Sequence, residues 1–163
     1  MVGSAHEELE QGLVRVLNAT SITNLQRLSG GASRETWRFA ADNEDFVLQR
    51  VRQGTIGGFQ VEPRVLSAAY NAGVPVAELV VDGADRTELT APFMIVRAVE
   101  GETIARKILR DDRFNAARTV LTSQLGVAAA QLHQIDTSSI PGLVADDQMN
   151  RDQTVLRDLG EPH

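Results

Sequence analysis

The chain has 163 residues, 42% hydrophobic and only 4% aromatic, with a net charge of −6 from 22 acidic against 16 basic residues. That length suits one domain, or one domain plus part of another, with a core drawn largely from Val, Leu, Ile and Ala. The acidic balance argues against nucleic acid as the main partner. The absence of cysteine excludes disulfides and thiolate metal sites, and His6, His133 and His163 are too scattered in sequence to suggest a metal centre. Met1 to Gln11 lacks the apolar stretch of a signal peptide and no apolar run is long enough to span a bilayer, so a cytoplasmic protein with no membrane partner is expected.

Ser4 followed by Glu7 forms a capping-box pattern, and Leu9, Leu13, Val16 and Leu17 recur at helical spacing, which predicts a first helix near residues 5–18. Strand-like segments follow at about 24–29, 34–41 and 45–51. Asp42-Asn43-Glu44 reads as a tight turn, so these three strands are expected as an antiparallel meander. Gly54 to Gly58 is a flexible break. Val61 to Ala72 is helical by composition, with Pro63 in its first turn and Asn71 and Gly73 at its close. Two more strands are predicted at about 77–81 and 92–97, across a polar turn containing Gly83. From Gly101 the pattern turns helical. A short helix over Thr103 to Leu109 precedes a longer one capped by Asp111 or Asp112, in which Phe114, Ala117, Leu121, Leu125, Ala128, Leu132 and Ile135 step by three or four.

Residues Leu28 to Phe39 hold a glycine turn between two strand-like runs. The Gly30-Gly31 pair, flanked by the hydroxyls of Ser29 and Ser33, can fold backbone N–H groups around an anion. By itself the same turn also suits an ordinary hairpin of small residues. A P-loop is excluded, because Arg34 to Phe39 continues as strand and no Gly-Lys-Ser or Gly-Lys-Thr ending leads into a helix.

Five strands with one helix after the third, followed by helices, is a restrictive order. Leu28–Trp37, Phe46–Arg50, Gly73-Val74-Pro75-Val76, Pro92–Glu102 and Ala130–Asp136 together make the chain resemble the aminoglycoside phosphotransferase family, or kinase-like small-molecule phosphotransferases more broadly. The resemblance covers roughly residues 22–143 in the right order. It implies an α+β fold: a protein-kinase-like N-lobe, with a five-stranded antiparallel sheet plus one helix, followed by the first helices of the C-lobe. Residues 1–20 would form an N-terminal helix, 21–98 the nucleotide lobe, and 99–163 the connector and first helices of a truncated C-lobe.

The resemblance also implies a site for ATP with magnesium. Ser29, Gly30, Gly31, Ala32 and Ser33 match the loop that covers the phosphates, where small residues let backbone amides approach. Gln49 falls where the third strand would carry a lysine or arginine for the phosphates, and Glu62 matches the helix carboxylate that holds that cation. Val96 to Val99 matches the connector whose backbone would hydrogen-bond adenine, with Arg97 and Val99 as its contacts. The sequence departs from the pattern at Gln49, which brings no charge, and Lys107, the single lysine, lies beyond the connector. Arg50 has the charge, but alternation points it to the opposite face unless a bulge turns it inward to pair with Glu62; a weak nucleotide site, or none, is the alternative.

Each of these residues also has a plain structural role open to it. A carboxylate at position 62 suits a helix start, and Trp37 suits core packing. His133 fits a cap or a partly buried side chain at a helix end.

The family's His-Gly-Asp loop, with its following Asn and later Asp, supplies the catalytic carboxylate and the metal ligands; none of the three histidines fits it. The expectation is therefore the ATP-binding N-terminal part of a phosphotransferase acting on a small-molecule alcohol, inactive alone, with the metal ligands outside this chain. The long apolar stripe would lack most of its packing partners and promote self-association. The alternative, favoured by Gln49 and the single lysine, is a non-catalytic kinase-like module that binds a nucleotide or a protein.

Overall fold

A computed structural model describes residues 2–30, 33–52, 59, 61–86 and 88–143. Helix α1 (Val2–Leu17) leads into strands β1 (Ile22–Gly30), β2 (Arg34–Ala41) and β3 (Glu44–Val51). Helix α2 (Glu62–Asn71) comes next, then strands β4 (Leu79–Gly83) and β5 (Phe93–Arg97). The chain continues through α3 (Ala105–Arg110), a 3-10 turn (Asp112–Phe114), α4 (Asn115–His133) and a second 3-10 turn (Thr137–Ser139). The strands form one sheet in the order β1-β2-β3-β5-β4, every neighbouring pair antiparallel. The expected five-stranded antiparallel sheet with a helix after the third strand is thus observed.

The apolar alternation of β3 decides where the core lies. Phe46 and Leu48 point to one face, where they meet Phe39, Phe93 and Ile95 from the neighbouring strands. Helix α1 covers that face with Leu9 and Leu13, spaced one turn apart and both buried. The opposite face carries Val47, Gln49 and Val51 from β3, and α2 packs near it through contacts with β4. This second surface is the cleft face.

Local chemistry fixes the joints. Ala41 pairs with Glu44, so the β2–β3 turn has two residues, Asp42 and Asn43, at φ 48° and 70°. Both tolerate the left-handed region, as a two-residue hairpin of this twist demands. The Asp42 carboxylate accepts from the Thr20 and Ser21 N–H groups at 3.0 and 3.3 Å, tying this turn to the link between α1 and β1. Gly73, at φ 79°, closes α2: its N–H and that of Val74 donate to the carbonyls of Tyr70 and Ala69.

Some boundaries differ from those read off the sequence. Helix α1 begins at Val2, so Ser4 stands within its first turn and not at its cap. Helix α3 starts at Ala105, two residues later than expected, because the Glu102 carboxylate accepts from the Thr103 and Ile104 N–H groups and holds Ile104 extended. Backbone hydrogen bonding from Ile104, then Lys107, places the Glu102 carboxyl below its ordinary range. Asp111 caps the 3-10 turn that precedes α4 by accepting from Arg113 N–H, where one longer helix was expected. His133 is exposed at the end of α4, and Asp136 caps the following 3-10 turn by accepting from Ser138. Helix α4 buries no residue, and Leu125 and Val127 are more than half exposed.

This distribution separates the two apolar helices energetically. Leu13→Ala should destabilise the chain by roughly 2–5 kcal/mol, through lost burial plus a cavity. Leu125→Ala should change stability by about 0.5 kcal/mol or less. Urea unfolding midpoints of the two variants against the parent check this.

Candidate functional site

The cleft face is assembled by register. In the β2–β3 ladder Thr36 lies opposite Gln49, Arg34 opposite Val51 and Arg38 opposite Val47. In the β3–β5 ladder Gln49 lies opposite Met94 and Val47 opposite Val96. Side chains of Arg34, Thr36, Arg38, Val47, Gln49, Met94 and Val96 therefore share one surface. At one end of this surface is the turn between β1 and β2. At the other is the chain leaving β5.

The residues singled out in the sequence fall as follows. Ser29 and Gly30 end β1, paired with Thr36 and Glu35; Gly31 and Ala32 lie outside the described residues. Ser33 is exposed, and its carbonyl accepts from Arg52 N–H at 2.9 Å. Gln49 is half-buried on the cleft face. Val96 is buried there, and Val99, beyond the strand, is 72% exposed. Arg97 points to the other face, over the Phe46 ring, with ion pairs to Glu44 and Glu78 at 2.9 Å each. Its N–H donates to the Glu78 carbonyl, so the sheet already engages that amide.

Arg50 does not turn inward. No register shift interrupts β3, and alternation carries Arg50 to the α1 side with Phe46 and Leu48. There its guanidinium pairs with Glu35 at 2.9 Å and donates to the Leu89 carbonyl at 3.2 Å. The pairing with Glu62 that an inward bulge would have allowed is absent for that geometric reason. Glu35 is the centre of this cluster: Trp37 Nε1–H donates to it at 3.0 Å and Arg27 approaches at 3.8 Å. Burial pushes the Glu35 carboxyl up, but Trp37, Arg50 and Arg27 outweigh it and hold it below its ordinary value. Trp37 thus packs and anchors on the α1 side, as expected of a core residue.

Glu62 has a different partner. It is the first residue of α2, and its two carboxylate oxygens lie 2.9 and 2.7 Å from Nη1 of Arg34, the first residue of β2. The Arg34 guanidinium also lies over the Phe59 ring, 4.3 Å from its centroid. Phe59 is fully buried and packs with Val51 and Met94, so the ion pair sits on an apolar floor. The sequence reading passed over Arg34. The available signal was parity: with Gln49 neutral, Arg34 and Arg38 are the β2 arginines that share its face. Lys107 lies in α3, not on the cleft strands, and is ion-paired to Glu102 at 3.1 Å.

Among the described residues no group of His, Asp and Glu side chains is arranged to hold a metal ion, and no helix is long and apolar enough to cross a membrane.

The model of the phosphotransferase enzyme family matches residues 24–158. No curated protein sequence matches the chain. Among solved structures, aminoglycoside phosphotransferase APH(4)-Ia is similar at 20% identity and TM-score 0.55, over 82% of this chain and 40% of that one. A thermostable mutant of the same enzyme, in ternary complex with AMP-PNP and hygromycin B, is similar at 19% identity and TM-score 0.57, over 80% of this chain and 40% of its own. A thermostable mutant of that enzyme in apo form gives 22% identity and TM-score 0.54, over 79% of this chain and 40% of its own. The sheet and helices therefore have the protein-kinase-like fold of these enzymes, and the chain spans about 40% of their length.

The Glu35 cluster makes a pH signature. A carboxyl held below its ordinary value of 4.5 contributes stability that is complete above that value and is lost as pH falls through the folded value. Between about pH 6 and about pH 3 the thermal midpoint of Glu35→Gln should fall less steeply than that of the parent. Parallel acid limbs in calorimetric scans would contradict this assignment.

Proposed function

We propose that this chain, which belongs to the phosphotransferase enzyme family, is the ATP-binding N-terminal part of an enzyme that phosphorylates a hydroxyl on a small molecule. One observation carries the reading: the strand ladders bring the end of the glycine turn and Gln49 to one surface, Glu62 reaches it through its ion pair with Arg34, and the connector leaves β5 at its far end. A triphosphate lying along that surface would meet backbone N–H groups of the turn from Ser29 to Ser33. Its purine would meet the chain after Val96, where exposed Val99 is the accessible contact. The ternary complex of the similar enzyme with AMP-PNP and hygromycin B supports a nucleotide donor and an alcohol acceptor for the whole protein.

In this reading the nucleotide lobe covers about residues 21–98, and the chain from 99 onward begins the second lobe. The catalytic aspartate and the magnesium ligands lie elsewhere, because no His-Gly-Asp segment occurs in these 163 residues. Magnesium would supply positive charge to the phosphates when bound, and this chain's own residues would position the nucleotide.

Two features favour the second reading, a non-catalytic nucleotide- or protein-binding module. Gln49 is neutral where a third-strand cation is expected, and the single lysine is engaged with Glu102. Calorimetric titration separates the readings from the absence of any site. The first reading expects heat on adding magnesium-ATP at about millimolar concentration, with no phosphoryl transfer by the chain alone. No heat at that concentration removes the nucleotide claim.

A further inference from the structure

We infer that Arg34 carries the positive charge for the nucleotide phosphates, so that the phosphate cation comes from β2 and not from β3; this rests on the nucleotide reading above. The starting point is the neutrality of Gln49. A strand residue on the cleft face that lacks charge leaves the phosphate end of the surface without a counterion unless a neighbour supplies one. Among the arginines of the three strands that build this surface, only Arg34 and Arg38 point to it. Arg50 and Arg97 face the α1 side, each already bound to two acceptors.

Arg38 is neutralised. It pairs with Asp45 at 2.8 Å and also with Glu100, and it stands opposite Val47, toward the connector and away from the glycine turn. Among the described residues Arg34 has one carboxylate partner where Arg38 has two, and it stands at the other end of the strand. It opens β2 just after the turn, cross-strand from Val51 and two residues from Thr36, the partner of Gln49. Its contacts with Glu62 fall on one nitrogen, Nη1. Among the described residues Nε and Nη2 have no hydrogen-bond partner, which leaves three N–H donors of a planar fork for phosphate oxygens. Glu62 and the Phe59 ring hold the guanidinium from two sides. Such a held cation loses less conformational freedom on binding than an exposed one. The carboxylate keeps the role the family resemblance implies for it, while its partner has moved to the adjoining strand.

The test measures binding of the full chain to magnesium-ATP and, separately, to adenosine, which shares the purine but has no phosphate. Arg34→Met should weaken magnesium-ATP binding about tenfold or more, as expected for loss of a charged hydrogen bond, and leave adenosine affinity within about twofold. Arg34→Lys, which keeps the charge, should retain most of the magnesium-ATP affinity. Adding Gln49→Lys to Arg34→Met should restore binding by returning the charge to β3. A parent chain that binds neither ligand overturns the nucleotide reading itself. A parent that binds magnesium-ATP as tightly as folded Arg34→Met, or a variant that loses both ligands equally, overturns the assignment of Arg34 alone. Should Arg34→Met not fold, Arg34→Gln, which keeps a polar partner for Glu62, carries the same comparison.

Discussion

The two-residue period of β3 is the constraint on which the molecule turns. The strand lies between β2 and β5, so each of its side chains is committed to one of two environments. Phe46 and Leu48 must join the core under α1, and that choice sends Arg50 the same way. Val47, Gln49 and Val51 must then face the cleft. A slip of one residue would bring Arg50 toward Glu62 but would press Gln49 against Leu9 and Leu13. Burying an amide without partners costs about 1–3 kcal/mol, and exposing Phe46 and Leu48 adds to it. The electrostatics of the cleft are therefore a consequence of the hydrophobic core.

This hierarchy explains what could be read from residues alone. The meander was legible because β2 and β3 are long, alternate regularly and are joined by Asp42-Asn43, a pair suited to positive φ. The helix after the third strand was legible from Pro63 near its start and Gly73 at its end. Strand alternation also gave the correct side for Arg50. The partner of Glu62 was not legible. Arg34 and Glu62 are 28 residues apart, and their meeting depends on how α2 is set against the sheet, which no local pattern encodes. Glu102 was passed over for a related reason: a carboxylate that accepts from the next two N–H groups competes locally with helix formation and leaves no periodic trace.

The two helical ends of the chain play different parts. Helix α1 supplies Leu9 and Leu13 to the core, and the Asp42 carboxylate fastens its exit to the hairpin turn. Helix α4 has the longer apolar series yet buries none of it. Periodicity in a sequence marks a face able to pack; whether it packs depends on a second surface. The short elements between β5 and α4 hold their own geometry with side-chain caps from Glu102 and Asp111 and with Arg118, which donates to the carbonyls of Ile108 and Asp111 at 2.7 and 2.9 Å.

The position of the single lysine has a chemical corollary. A guanidinium resists acylation at neutral pH, whereas an amine does not. The only side-chain amine of the chain is Lys107 Nζ, in α3 and ion-paired with Glu102, not on any of the strands that form the cleft. A nucleotide bearing an acylating group at its terminal phosphate would find no side-chain amine to modify between β2 and α2. The cleft strands of this chain thus offer no target to lysine-directed reagents, whereas the Arg34 guanidinium is open to guanidine-selective dicarbonyls.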